Sequence, residues 1–156
     1  MDTITLGLAR VGDAPGIAAM SRVLIESGLP WSWTPRRVAA HMRERENLTV
    51  TARSGRSLVG FGLAQFGDAT VHLCLLAVAT AYQRNGLGRR LVHWIEESAT
   101  VAGLFVVKLE VRASNQQARR FYASLGYRQS GTIPGYYSGI EDAIRFSRSL
   151  SAARCD

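Results

Sequence analysis

The chain has no apolar stretch approaching the roughly 18 residues that a membrane-crossing helix needs. Its start, MDTITLGLAR, lacks the basic segment followed by a hydrophobic one that marks a signal peptide. An unanchored cytoplasmic protein is therefore expected. Cysteine is scarce as well: Cys74 sits inside an apolar run and Cys155 stands one residue from the end. A disulfide framework is excluded as the basis of the fold, and neither cysteine has metal-ligand spacing to His41, His72 or His93. No metal is expected. Internal repeats, linkers and low-complexity tracts are missing too, which excludes solenoids and disordered spacers.

Two nucleotide signatures are also missing. The dinucleotide fingerprint G-x-G-x-x-G fails at its last position, because Gly86 and Gly88 are followed by Leu91 where the third glycine belongs. No G-K-[ST] occurs anywhere, so a P-loop NTPase is disfavoured along with a nicotinamide enzyme.

What is present fits an ordinary globular protein. Of 156 residues, 47% are hydrophobic and 20% charged, which reads as one domain over residues 1–150 with a C-terminal tail at 151–156. Acidic side chains are outnumbered, 12 against 19, and the net charge of +7 favours anionic partners. Nucleic acid and a polyanionic cofactor both answer to that charge. Nucleic acid is disfavoured, because the arginines are dispersed and no aromatic residues interleave with them as on an RNA-binding sheet.

Along the chain, residues 3–11 read as a strand. Asp13 is placed to cap a helix with Pro15 in its first turn, and Ile17, Met20 and Leu24 recur at helical spacing up to Gly28. The pattern breaks at Pro30, and Thr34 with Pro35 restarts a helix carrying Val38, His41 and Met42. Residues 48–53 and 58–66 are predicted strands joined by Ser54-Gly55-Arg56; Gly67-Asp68 then turns the chain into a third at 70–79. Leu87, Leu91, Ile95 and Ala99 mark an amphipathic helix ending near Gly103. Residues 104–113 form a buried strand. A helix follows in which Ala118, Phe121, Tyr122 and Leu125 share a face, stopped by Gly126. Strands around 127–132 and 143–149 close the domain. The order is β-α-α-β-β-β-α-β-α-β-β, an α/β fold with a mixed central sheet and a parallel pair across a crossover helix.

The segment AYQRNGLGRR, residues 81–90, follows an apolar strand and opens a helix. Glycines at 86 and 88 let backbone N–H groups approach a ligand, the helix start adds its positive end, and Arg84, Arg89 and Arg90 add attraction. That combination favours a pyrophosphate, although glycines in this place also serve a plain strand-to-helix turn.

The same segment, Gln83-x-x-Gly86-x-Gly88 after LLAVATAY and before LEVRASNQQARRFYASLGY, resembles the GNAT superfamily of N-acetyltransferases over nearly the whole chain. Within it, the chain is most similar to the ribosomal-protein alanine N-acetyltransferase type, through Pro30-Trp31-Ser32, residues 109–115, Tyr136-Tyr137 and residues 141–144. It differs from that type at Ile133-Pro134-Gly135, where those enzymes tend to carry arginines, so the acceptor is left open.

The resemblance implies the GNAT fold, acetyl-CoA as donor and no metal. It places the pyrophosphate on the turn Gln83, Arg84, Asn85, Gly86, Leu87, Gly88 and Arg89. The pantetheine arm falls to the backbone of Leu76, Ala77 and Val78 and to Asn115, whose other reading is a helix cap. It implies direct attack by a primary amine, most simply a protein N-terminal α-amine, with Glu110 as base and Tyr122 as acid. Read alone, Glu110 also fits an ion ladder with Lys108 and Arg112 on one strand face. Tyr122 also fits a core aromatic. Trp31, Trp33, Tyr136 and Tyr137 would flank the acceptor, or else pack an edge.

Rival readings are acetylation of a small amine or amino acid, and a non-catalytic nucleic-acid-binding or acyl-CoA-sensing module. Monomer and homodimer are both open.

Overall fold

The structure, a computed structural model, describes residues 3–151. Its elements are β1 (Ile4–Leu8), α1 (Ala14–Leu24), α2 (Pro35–Arg43), β2 (Asn47–Ser54), β3 (Ser57–Phe66), β4 (Val71–Val78), α3 (Leu87–Val101), β5 (Val106–Arg112), α4 (Gln116–Ser124), β6 (Arg128–Tyr137) and β7 (Glu141–Ser149). This is the predicted order. The seven strands form one sheet, β1-β2-β3-β4-β5-β7-β6, in which β4 and β5 alone run parallel. The crossover between them is α3.

Boundaries differ where local chemistry overrides pattern. The first strand stops at Leu8, and a 3-10 turn at Val11–Asp13 precedes α1. Asp13 stands at the cap position without capping: its carboxylate accepts from the Arg10 N–H at 2.7 Å and pairs with Arg53 of β2. Thr34 does cap α2, its hydroxyl accepting from the Arg37 N–H. The sixth strand runs on to Tyr137 despite Pro134. It lies at the sheet edge, where a residue without an N–H leaves no neighbour unpaired, and its register with β7 slips between Ile133 and Tyr137.

Each face of the sheet carries its own core. On one side Leu87, Leu91, Val92, Ile95 and Ala99 of α3, with Tyr122 of α4, cover Val71, Leu73, Val107, Leu109 and Val111. On the other, Ile17, Ala18 and Val38 cover Phe61, Leu63, Leu75 and Ala77. The bare surface of β3 sets how close α3 comes: a Cβ on Gly62 would meet Ile95 Cδ1 at 3.0 Å.

In the α3-side core, Glu96 is 6% exposed and accepts from the Tyr127 hydroxyl at 2.9 Å and from Arg148 at 2.8 Å. Removing one member of a buried pair strands the other. Glu96→Ala is expected to lower the unfolding free energy by about 3 kcal/mol, the low end of the range because Arg148 retains partial access to water. Urea or guanidinium denaturation reads this directly.

Candidate active site

The sheet opens at its centre. The fourth and fifth strands pair only at Val71↔Val107 and His72↔Lys108, and beyond those two positions they diverge. A bulge accompanies the divergence: Ala64 faces Leu73 and Leu63 faces Leu75, so Cys74 is the extra residue. Side chains alternate along a strand, and one extra residue reverses which face each later one takes. Leu73 therefore joins the core under α3, while Leu75 and Ala77 join the core under α1 and α2. The run of apolar letters at 70–79 conceals this switch.

A cavity of about 340 Å³ occupies the split, lined on β4 by Leu73, Cys74, Leu75 and Leu76 and on β5 by Leu109, Glu110, Val111 and Arg112. Asn115, Ala118 and Tyr122 close it from the α4 side; Tyr136, Tyr137 and the α1–α2 loop wall the rest.

Glu110 lies on its floor with 7% of its side chain exposed. One oxygen faces His72 Nε2 at 2.6 Å and accepts from the Tyr136 hydroxyl at 3.2 Å; the other accepts from Arg145 Nε at 3.3 Å. Burial pushes this carboxyl up, but the bond and charge of His72, with the bonds from Arg145 and Tyr136, outweigh it and hold the group below the usual carboxylate range. Glu110 is a carboxylate at neutral pH. The ion ladder with Lys108 and Arg112 does not form: Arg112 turns to Glu141 at 2.7 Å, and the partners of Glu110 come from β4, β6 and β7.

Tyr122 packs its ring edge-on to Tyr127 at 5.6 Å and against Phe146 at 6.4 Å. Among the described residues its hydroxyl has no hydrogen-bond partner, and it lines the cavity. Burial, then the neighbouring Tyr137, pushes its pKa up, so the hydroxyl keeps its proton.

The turn before α3 divides its labour. Gln83 donates its amide to the Val78 carbonyl at 2.9 Å, bracing the turn against the end of β4. Arg84 and Gly86 both take left-handed backbone, φ 67° and 77°. Helix α3 makes its first backbone bond from Arg90 N–H to Gly86 C=O, which leaves the N–H groups of Leu87, Gly88 and Arg89 ahead of it. Leu87 sinks its side chain into the core. At Gly88 the missing side chain makes room for a neighbour: a Cβ there would meet the Phe121 ring at 3.1 Å. Arg84, Asn85, Gly86 and Arg89 are exposed. This turn, with Ala77 and Val78, lies beyond the residues that line the cavity.

Asn115 caps α4, its side-chain oxygen accepting from the Ala118 N–H at 3.0 Å, and it also borders the cavity. Of the aromatics, Trp33, Tyr136 and Tyr137 reach the cavity; Tyr136 and Tyr137 pack edge to face at 5.0 Å. Trp31 does not line it. Its indole N–H donates to the Ala18 carbonyl at 3.2 Å, and Arg22 stacks over it, tying the loop to α1.

Sequence reasoning passed over the residues that position the loop. Glu26, 7% exposed, accepts from the Ser21 and Ser32 hydroxyls and from the Ser32 and Trp33 N–H groups. Arg112 donates to the carbonyls of Ile25 and Ser27 while held by Glu141. Hydrogen bonds from the Ser114 hydroxyl and N–H, then from Arg112, hold Glu141 down to about 2. Only the period-two spacing of His72 and Cys74 hinted at their shared face.

Among the described residues no helix is long and apolar enough to cross a membrane, and no group of three metal-ligating side chains occurs. The sequence profile of the acetyltransferase (GNAT) domain matches residues 31–142. The chain is 32% identical over 142 residues to N-alpha-acetyltransferase RimI of Mycobacterium tuberculosis, covering 87% of this chain and 85% of that protein. It is 32% identical over 122 residues to the [ribosomal protein bS18]-alanine N-acetyltransferase of Escherichia coli, covering 76% and 82%. The crystal structure of the ribosomal-protein-S18-alanine N-acetyltransferase from that species superimposes with a TM-score of 0.81 at 27% identity, over 95% of this chain and 94% of its own. Arabidopsis thaliana NAA60 in complex with acetyl-CoA shares the fold, with a TM-score of 0.83 at 18% identity over 96% and 99%. The match over residues 31–142 and relatives 32% identical over most of their length agree with this architecture, and the chain belongs to the GNAT family of N-acetyltransferases.

Proposed function

We propose that this acetyltransferase moves an acetyl group from acetyl-CoA to the α-amine of a protein N-terminus, by direct attack, with Glu110 as base and Tyr122 as acid. The observation that carries the reading is that Glu110, bonded to His72, Arg145 and Tyr136, and Tyr122, whose hydroxyl has no hydrogen-bond partner among the described residues, line one cavity in the split between β4 and β5.

The residues present fit the donor. The N–H groups of Leu87, Gly88 and Arg89 suit a diphosphate at the positive end of α3, with Arg84 and Arg89 free to approach from solvent. Along β4, alternate backbone groups at Leu76, Ala77 and Val78 turn toward the side that β5 has left, where they suit the amides of the pantetheine arm. Asn115 spends its oxygen on the helix cap and keeps its Nδ2 for that arm. Gln83 acts on the turn itself.

An amine attacks a thioester only when neutral. Glu110 takes the proton, directly or through one water, and Tyr122 supplies a proton to the departing thiolate. A carboxylate held below its usual range is a modest base, which suits an α-amine, of reference pKa about 8, better than a lysine at about 10.4. One bacterial relative is named an N-alpha-acetyltransferase and the other a ribosomal protein bS18 alanine N-acetyltransferase, which supports a protein amine as acceptor. Trp33, Tyr136 and Tyr137 flank the acceptor; Trp31 supports the loop.

The test is mass spectrometry of products from panels of N-terminal peptides and small amines incubated with acetyl-CoA. Peptides are expected to gain one acetyl group at the N-terminus; turnover of small amines alone removes the protein acceptor. Tyr122→Phe is expected to lower kcat by about 100-fold with little change in coenzyme A affinity, since its ring contacts survive. Full turnover by that variant removes the acid role.

A further inference from the structure

Cys74, the residue that the bulge adds to β4, has no part in the chemistry above, yet it lines the cavity two positions before Leu76. It is a free thiol. His72, two residues earlier on the same strand face, places Nδ1 at 3.7 Å from its Sγ. The opposite ring nitrogen, Nε2, stands 2.6 Å from Glu110, and that carboxylate is itself fixed by Arg145 and Tyr136. Thiol, imidazole and carboxylate form a chain in the order of nucleophile, base and orienting group. When His72 is neutral and Glu110 ionised, Nε2 carries the proton that it donates, and Nδ1 is left to accept one from sulfur.

We propose that Cys74 is an acyl acceptor: when no amine is bound, its thiol takes the acetyl group of the donor by thioester exchange, with His72 as its base. This rests on the reading that the donor thioester lies in the split between β4 and β5. The Cys74 Sγ–H proton passes to His72 Nδ1, and the thiolate attacks the acetyl carbon. A new carbon–sulfur bond forms as the bond to the coenzyme A sulfur breaks, and the departing thiolate takes the proton from His72. One thioester replaces another, so no oxidant, reductant or further energy source enters. Hydrogen bonding to Cys74, then to Glu110, outweighs burial and raises the imidazole pKa to about 9, so the neutral ring that takes the sulfur proton is the minor form at pH 7 and labelling should quicken as pH climbs toward 9.

The experiment is peptide mapping by mass spectrometry after incubation with acetyl-CoA and no acceptor. A single acetyl group is expected on the Cys74 peptide, removable by neutral hydroxylamine and lost in Cys74→Ala. The peptide of Cys155, which lies outside the described residues, is the internal comparison, and equal labelling of both cysteines overturns the proposal. His72→Gln keeps an N–H to offer Glu110 but has no basic nitrogen for the thiol, so labelling should slow on the order of 100-fold. An undiminished rate in that variant, shown folded by its melting shift with coenzyme A, also overturns it. So does an unlabelled Cys74 in protein that acetylates a peptide, an outcome that leaves the proposed function standing. A chain that neither binds the donor nor turns over any amine overturns both.

Discussion

Glu110→Gln is expected to lower kcat for peptide acetylation by about 100-fold or more, the range over which a positioned general base contributes. Glutamine preserves the size of the side chain and removes its charge. Arg145, 45% exposed, returns to water at little cost, whereas His72 loses the anion that helps keep it protonated. Steady-state kinetics separates a chemical loss from a binding loss, since coenzyme A affinity should change little.

The pH profile supplies a second check. Because Glu110 is held below 4.5, it is ionised across the neutral range, and kcat/KM in the native enzyme should rise with pH as the acceptor amine loses its proton near about 8. A rise set near 4 to 5 would contradict this. Stability carries its own sign. A raised histidine contributes fully below 6.5 and loses that contribution as pH climbs through about 9; a lowered carboxyl contributes above 4.5 and loses it as pH falls through its depressed value. Native protein should therefore weaken between pH 6.5 and 9 by more than Glu110→Gln does, as denaturant titrations at the two ends can read. Full turnover by Glu110→Gln removes the carboxylate from the mechanism.

Gly86→Glu is expected to abolish measurable donor binding. No atom lies within 4 Å of a Cβ built there, so the substitution meets no steric block. Two effects remain. The backbone has φ 77°, which costs an L-residue about 1 kcal/mol. The new carboxylate stands at the opening of α3, where a bound diphosphate would be repelled: two unit charges about 5 Å apart cost about 3 kcal/mol at an effective dielectric of about 20. That is more than 100-fold in affinity. An acidic group at a helix start is favourable to the helix itself, so folding should survive. Gly86→Ala isolates the backbone effect: it should melt slightly earlier and still bind. Calorimetric titration with coenzyme A checks both, and native-like affinity in Gly86→Glu would move the diphosphate elsewhere.

Gly88 shows how a residue singled out for a ligand can also be required by packing. The sequence offers it as a residue stripped for a ligand; in the structure its bare face receives the Phe121 ring. Asn115 was open between cap and ligand contact, and the cap is present with one amide nitrogen left over. Trp31 and Trp33, alike in sequence, part company because the loop between α1 and α2 is wound around the Glu26 carboxylate.

Periods of 2 and 3.6 in apolar residues, with proline, threonine and glycine at element ends, determined the eleven elements and their order from the letters alone. These are properties of neighbours in the chain, and local sterics suffice to express them. The glycine turn of residues 83–89 was legible for the same reason, whereas a cavity shared by Glu110 and Tyr122 was expected only from the resemblance to GNAT enzymes. The bulge at Cys74, the parting of β4 from β5 after two pairs, and the meeting of His72, Glu110, Tyr136 and Arg145 were decided only by the tertiary structure. The last two depend on pairing between residues 26 to 38 positions apart, and such register follows from how whole strands share two cores, which no local pattern encodes.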